Sequence, residues 1–219
     1  ELDALIEMKF DGAKEKRTEI MVSYADEIAL QYKNGDIDYT AAITELNSLD
    51  KMKFDGAKDK RTEIMASYAD KVVSQYENGK ITYDKAVADL RKIKEDGYTE
   101  ADSLIDKITA SNNAVNALEK ADEYYENGDY EKAISEYSKI PESSKNYEEA
   151  QKKLNKVYAD YIRSTVETAK KYNSSKNYKQ AVQAVNTAYG ILPDSVDTAD
   201  LDIVKEESLA AYKTEVASE

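Results

Sequence analysis

A block of fourteen residues occurs twice in this chain, and the spacing of the two copies constrains the fold more than any other feature. MKFDGAKEKRTEIM begins at Met8, and MKFDGAKDKRTEIM begins at Met52, 44 residues later. When 8–51 is aligned with 52–95, 25 of the 44 positions are identical, including 17 of the first 19. Because a period of about 20–50 residues is typical of repeat proteins, we predict tandem 44-residue units.

Each copy predicts a pair of helices. In the first copy, apolar residues recur at three- and four-residue steps over 21–32, the spacing that places side chains on one helical face. Gly35 follows in KNG, where a glycine suits the left-handed conformation that ends a helix. A second apolar stripe covers 39–49, and the second copy repeats the plan on both sides of Gly79.

The first residues fit the same period. Leu2 and Leu5 lie 44 positions before Leu46 and Leu49, so ELDALIE resembles the end of the second helix of a preceding repeat. The chain also begins with Glu1 rather than Met. We therefore expect the segment to start inside a truncated repeat of a longer array.

The predicted fold is all-α, with antiparallel helix hairpins stacked into a superhelical solenoid. Two prolines and seven glycines in 219 residues leave few helix breakers, which favours this class. The predicted helices lie near 11–34, 38–50, 55–78, 82–95, 99–126, 130–140, 147–173, 178–191 and 197–215. We divide the chain into tandem 44-residue repeats over 1–95 and a second set of helical repeats over 96–219.

The second part resembles the tetratricopeptide family over roughly 114–198. The matching small, aromatic and turn positions are Ala121, Tyr124, Gly128, Tyr130, Ala133 and Tyr137 in one unit and Ala169, Tyr172, Tyr178, Ala181, Ala188 and Pro193 in the next. Val185 departs from the family by replacing an aromatic residue, and Lys176 replaces the turn glycine. The repeats over 8–95 are longer than the family's units, so they are tetratricopeptide-like at most.

The layout also resembles hairpin-repeat segments in cell-envelope proteins of Gram-positive bacteria. Together with the high acidity, the absence of cysteine and the missing start, this resemblance favours an extracytoplasmic, cell-surface segment of a larger protein, with a cytoplasmic location as the alternative. No apolar run approaches the ~18 residues that a membrane span requires, so we expect no insertion within this segment.

Composition excludes several kinds of function. The chain has no histidine and no cysteine, which rules out Cys/His zinc sites and nucleophiles activated by histidine. A net charge of −13 repels phosphate backbones, so nucleic acid is not an expected partner. Motifs around Gly35, Gly79 and Gly128 resemble calcium loops, but none supplies the closing carboxylate at the twelfth position. We therefore expect no metal and no cofactor.

The eighteen tyrosines support two interpretations. Many recur at equivalent repeat positions, such as Tyr24 with Tyr68 and Tyr39 with Tyr83, where rings are expected to pack between helices. Alternatively, exposed tyrosines and paired carboxylates would serve a carbohydrate- or peptidoglycan-binding or processing module. The first interpretation predicts a non-catalytic protein-interaction or scaffolding segment, and it is the one that we adopt.

The resemblance to tetratricopeptide repeats also implies where a protein or peptide partner would bind. In that family the first helices line the concave groove. Carried onto this sequence, the groove positions are Val115, Leu118, Asp122 and Tyr125 in one unit and Arg163, Val166, Lys170 and Asn173 in the next. Such a mixed surface suits an extended peptide or a helix whose charges run oppositely.

A second location for recognition stays open at this point. The near-identity of 8–26 and 52–70 is explained either by a duplicated binding surface or by a recent duplication that has not diverged. The sequence does not separate the two explanations.

Overall fold

A computed structural model describes residues 2–218, which form helices connected by short turns. Within that range there is no strand. The helices of the described range are α1 (Leu2–Glu7), α2 (Ala13–Asn34), α3 (Tyr39–Lys51), α4 (Gly56–Glu77), α5 (Tyr83–Glu95), α6 (Ala101–Glu126), α7 (Tyr130–Tyr137), α8 (Tyr147–Ser174), α9 (Tyr178–Tyr189) and α10 (Ala199–Val216). The predicted all-α class is confirmed.

The helices pack as hairpins against their neighbours in sequence. In the first part of the chain, α2 packs against α3 and α4, α3 packs against α4, and α4 packs against α5. In the second part, α8 packs against α7, α9 and α10, and α9 packs against α10. These contacts confirm the predicted arrangement of helical repeats.

The helix bounds differ from the prediction in a few places. The second helix of the third hairpin ends at Tyr137 rather than near residue 140, because the chain leaves the helix before Pro141. The sequence left open a kink near Asn112–Asn113, and α6 runs continuously through both residues. Leu2–Glu7 is helical, as the similarity to the end of α3 predicts.

Turn chemistry explains where the hairpins bend. Gly35 adopts the left-handed conformation with φ of 82°, and Asp38 then caps α3 by accepting a hydrogen bond from the backbone N–H of Ala41 at 2.8 Å. Gly128 also adopts the left-handed conformation, with φ of 76°. Lys176, which replaces a turn glycine, still adopts φ of 57°. The turn between α8 and α9 therefore keeps its geometry at the steric cost of a side chain, about 1–2 kcal/mol.

The chain divides into two compact units, Glu1–Thr109 and Ala110–Glu219, with the boundary inside α6. Each unit has its own core of buried apolar residues. The core of the first unit is formed by α2 to α5 and the first turns of α6, and that of the second by the rest of α6 and α7 to α10. The predicted division at residue 95 separates two kinds of repeat in the sequence rather than two compact units. It stays a prediction.

The two copies of the duplicated block differ in the linker before their first helix. Gly12 has φ of 76° and precedes α2, whereas Gly56 is itself the first residue of α4. Phe10 is 64% exposed and Phe54 is 8% exposed. A β-carbon at Gly56 would lie 2.5 Å from the Phe54 ring, whereas Gly12 has open space. One linker sequence therefore adopts two conformations, and the buried one requires glycine for close approach.

Candidate functional site

The predicted groove residues lie on two helices of the second unit. Residues 115–125 belong to α6, and residues 163–173 belong to the C-terminal half of α8, which is 28 residues long. We use the name α6–α8 surface for these eight positions and the side chains that contact them. Their contacts separate into a connected polar network and a set of packing residues.

Asp122 is tied to two other elements. It accepts a hydrogen bond from the hydroxyl of Tyr137 on α7, and it forms an ion pair with Lys153 on α8, with 2.7 Å between Nζ and Oδ2. Tyr137 is fully buried, and this burial together with the hydrogen bond to Asp122 raises the pKa of the phenol. Lys153 also pairs with Glu149 at 3.0 Å. Asp122 thus connects α6 to α7 and α8.

Tyr125 contacts α8 through both its hydroxyl and its ring. The hydroxyl donates to Oδ2 of Asp160 at 2.6 Å, and this bond, followed by burial, raises the pKa of Tyr125. The other oxygen of Asp160 pairs with Arg163 at 2.9 Å. Nζ of Lys156 lies 5.3 Å from the centroid of the Tyr125 ring, within the range of a cation–π contact. Arg163 is therefore oriented from α6 through Asp160.

Aromatic packing continues this network to α7. The Tyr125 ring lies 6.1 Å from the ring of Tyr130, which in turn lies 6.2 Å from the ring of Tyr161. The hydroxyl of Tyr161 donates to Glu131 at 2.9 Å. Ring pairs at this spacing stabilise helix contacts beyond their buried area. Packed tyrosine rings from α6, α7 and α8 therefore support the α6–α8 surface.

The apolar groove positions have a packing role. Leu118 and Val166 are half-buried against the core of the second unit, and Val115 is also half-buried. Lys170 is exposed, and its backbone carbonyl accepts a bond from the Ser174 hydroxyl at 2.9 Å. These positions support or flank the polar network without joining it.

Asn173 has a different environment from the other groove positions. The side chain is half-buried, and among the described residues its buried Oδ1 has no hydrogen-bond donor. Sequence reasoning placed it beside Lys170, one helical turn away, and no hydrogen bond joins the two side chains in the described part of the chain. The predicted set is therefore only partly brought together.

Sequence reasoning missed the α8 residues that α6 contacts. The family register selected positions from Arg163 onward, whereas the bonds from α6 reach Lys153, Lys156 and Asp160, which lie up to three turns earlier on the helix. These residues precede Arg163 at three- and four-residue steps and share its helical face. That spacing is the signal that identifies them.

The charge of α8 differs from that of the whole chain. The helix carries six basic and four acidic residues, whereas the chain has a net charge of −13. Lys156, Arg163 and Lys170 follow one another at seven-residue steps, which place them on one face, and all three are exposed. The α6–α8 surface therefore presents a row of three cations, with the carboxylates of Asp160 and Glu167 interleaved on the same face.

Ten tyrosines have a pKa that lies further above neutral pH than that of an ordinary tyrosine. Burial, hydrogen bonds to carboxylates or both raise the pKa of ten tyrosines above the ordinary value near 10. These tyrosines are Tyr24, Tyr32, Tyr39, Tyr68, Tyr98, Tyr125, Tyr137, Tyr158, Tyr161 and Tyr189. At neutral pH they act as hydrogen-bond donors and packing groups rather than as nucleophiles.

Neither a metal-binding cluster nor a membrane-spanning helix occurs within residues 2–218. Within residues 2–218, no group of three or more Asp or Glu side chains is arranged to hold a metal ion. None of the described helices combines the length and the apolar character that a membrane crossing needs. No protein-family model, no curated protein and no solved structure matches this chain.

Proposed function

We propose that this chain is a non-catalytic scaffolding segment that binds a protein partner through the α6–α8 surface. The observation that carries the proposal is the connected set Tyr125, Asp160 and Arg163, in which a carboxylate bound by α6 pairs with a basic side chain on an exposed helix face. Arg163 and its neighbours Lys156 and Lys170 form a row of cations in a protein of net charge −13. Electrostatic complementarity then selects an acidic segment of the partner.

The contacts between α6 and α8 favour binding because the two helices are already held together before a partner associates. Tyr125 and Asp122 attach α6 to α8, so the cations are presented by a helix that is held on two sides. A partner helix with acidic residues at seven-residue intervals would meet the row in register, because both helices rise about 1.5 Å per residue. The acidic side chains of α6 would repel a partner bound in the wrong orientation.

The absence of histidine and cysteine and the raised tyrosine pKa values support a non-catalytic function. Carbohydrate stacking requires exposed aromatic faces, and most tyrosine rings here are buried or half-buried between helices, with Tyr24 and Tyr172 as the more exposed ones. We therefore favour a protein partner over a sugar.

We also propose the wider setting of the segment. The tetratricopeptide-like spacing over 114–198 and the similarity in layout to Gram-positive envelope proteins support a helical-repeat segment of a larger, cell-surface bacterial protein. Protease treatment of intact cells tests this location, since a surface segment is cleaved while a cytoplasmic protein is protected. Protection equal to that of a cytoplasmic marker would contradict the proposed location.

Charge reversal on the cation row tests the binding proposal. The variant Arg163→Glu with Lys170→Glu is compared with Lys145→Glu with Lys213→Glu, which makes the same charge change at exposed positions outside the surface. The probe is a synthetic amphipathic helical peptide with glutamates at seven-residue intervals, and binding is measured by calorimetry. We expect the first variant to bind about tenfold more weakly and the control within about twofold of the original chain.

A peptide with lysines at the same positions serves as the second probe. If both double variants weaken binding of the acidic peptide equally, the attraction comes from overall charge and the proposed surface is wrong. If the lysine peptide binds the original chain as tightly as the acidic one, the proposed partner chemistry is wrong.

A further inference from the structure

One face of α2 has the same residue types as a face of α4, and the face of α4 is buried in a contact with other helices. We call this face the outer face of α2, and it consists of Phe10 in the preceding linker with Lys16, Ile20 and Tyr24. The residues 44 positions later are of the same four types, Phe54, Lys60, Ile64 and Tyr68. In α2 and α4 the last three follow one another at four-residue steps, so they lie on one side of the helix.

In the second copy, these residues contact the hairpin α2–α3. Ile64 is 2% exposed and, with Phe54, belongs to the core of the first unit. Lys60 pairs with Asp26 of α2 at 2.9 Å. The ring of Tyr68 stacks on the ring of Tyr39 of α3, with the centroids 4.3 Å apart. The second copy therefore shows what this set of four side chains fits.

In the first copy, the same side chains are largely exposed, although the Tyr24 hydroxyl donates to Glu45 of α3. Ile20 is 49% exposed and Tyr24 is 44% exposed. Lys16 pairs with Glu19 on its own helix at 2.8 Å. Three exposed apolar or aromatic side chains with a lysine at the edge form a patch of the kind that marks an interaction site.

The short helix α1 already occupies one end of the equivalent contact. Asp3 of α1 pairs with Arg17 of α2 at 2.7 Å, and 44 residues later Asn47 of α3 accepts a hydrogen bond from Arg61 of α4 at 2.6 Å. Helix α1 packs against α2 as the last residues of α3 pack near the start of α4. The contact that α3 makes with α4 is therefore repeated at α2 only in part, by the short helix α1.

We propose that the outer face of α2 is a docking surface for a further helical hairpin of the α2–α3 type, whose second helix ends in α1. Such a hairpin brings an aspartate equivalent to Asp26 to Lys16 and a tyrosine equivalent to Tyr39 to Tyr24. Its apolar side chains cover Phe10 and Ile20, and the linker around Gly12 takes the conformation of the linker around Gly56. This surface is separate from the α6–α8 surface and does not depend on its function.

An extended chain tests the proposal. A copy of residues 8–44 is placed directly before Glu1, which keeps the 44-residue register because Glu1 corresponds to Glu45. Single cysteines are introduced as Ile20→Cys or Met8→Cys, and the rate of thiol modification is measured in the original and the extended chain. Met8 is the matched control because Met8 and its counterpart Met52 are both exposed, at 64% and 52%.

We expect the rate at Ile20→Cys to fall about tenfold or more in the extended chain, because the thiol reacts only when the contact opens. The rate at Met8→Cys should change less than about twofold. Equal rates at Ile20→Cys in the two chains would overturn the proposal. Protection of Ile20→Cys in the original chain that increases with protein concentration would also overturn it, since a second copy would then be the occupant.

A second extension guards against an added hairpin that does not fold. It uses residues 52–88 instead of 8–44, and circular dichroism measures the helix gained in each extended chain. If neither chain gains helix, the outer face of α2 does not hold a hairpin of this type and the proposal is wrong. Helix gain without protection of Ile20→Cys would contradict it equally.

Discussion

Helices α2 and α4 have nearly the same sequence but bury different side chains. Met21 and its counterpart Met65 are both buried in the core of the first unit. Ile20 and Ile64 differ, because among the described helices α4 has a preceding hairpin packed against it and α2 has only the short helix α1. In a repeat protein, the burial of a residue thus depends on its neighbouring repeat as much as on its own sequence.

The largest expected difference between the copies is at the linker phenylalanines. Phe54→Ala removes a buried ring from the first core, and we expect the free energy of unfolding to fall by about 4 kcal/mol. Phe10→Ala is the matched control and should change it by less than about 0.5 kcal/mol, because that ring is exposed. Urea unfolding followed by circular dichroism measures both. Similar losses at the two positions would contradict the difference in linker conformation.

The isoleucine pair tests the same comparison on the helices themselves. Ile64→Ala should lower the free energy of unfolding by about 3 kcal/mol, since the side chain is enclosed by the first core. Ile20→Ala should stay within about 0.5 kcal/mol of the original chain. Differential scanning calorimetry provides the measurement. A large loss at Ile20 would show that the outer face of α2 is covered in solution.

Tyr39 and its counterpart Tyr83 differ in their hydrogen-bond acceptors. Tyr39 donates to Asp96 at 2.7 Å, whereas the Tyr83 hydroxyl pairs with that of Thr109 at 3.0 Å. Because a bond to a carboxylate contributes more than one between hydroxyls, Tyr39→Phe should cost about 1.5–2 kcal/mol and Tyr83→Phe about 0.5–1 kcal/mol at pH 7. Chemical denaturation of the two variants measures the difference, and a larger loss at Tyr83 would contradict it.

Tyr39 also predicts a pH dependence. Burial and the bond to Asp96 raise the folded-state pKa of Tyr39 above the unfolded value near 10. The folded state therefore holds the phenolic proton more tightly, so this stabilisation is complete below about pH 10 and is lost as the pH rises further. Denaturation at stepwise higher pH should show a shallower loss for Tyr39→Phe than for the original chain. Parallel curves would contradict the role of Tyr39.

The smallest expected difference is at the lysine pair. Lys60 contacts Asp26, but both side chains are partly exposed, so Lys60→Ala should cost at most about 0.5 kcal/mol. Lys16 pairs only within its own turn of helix in the described contacts, and Lys16→Ala should cost less. A double-mutant cycle of Lys60→Ala with Asp26→Ala isolates the pair. Coupling that persists in about 1 M salt would contradict its assignment as a surface ion pair.

The sequence predicted the helices well because their determinants are local. The apolar stripes and the turn glycines placed α2 to α5 within about two residues of their bounds. Identical linkers, however, predicted identical helix starts, whereas α4 begins at Gly56 and α2 begins one repeat position later, at Ala13. The start depends on whether the phenylalanine has a core to enter, and that information is absent from the local sequence.

The candidate site was only partly predictable. A family register identified Asp122 and Tyr125, whose spacing on α6 is that of one helical face. The predicted helix over 147–173 already contained Lys153 and Asp160, but the family register counted groove positions only from Arg163 onward, so both were missed. Helical spacing shows that these residues share a face with Arg163, whereas which turns of α8 lie opposite α6 is decided by tertiary packing.

The 44-residue period has a mechanical consequence. A fully extended chain of 44 residues reaches about 150 Å, whereas the first helix of the hairpin, with 22 residues, is about 33 Å long. If tension along the backbone releases one hairpin as a cooperative unit, the molecule lengthens by more than ~100 Å without breaking a covalent bond. The repeat is therefore also a unit of extension, and its step size is directly measurable by single-molecule stretching.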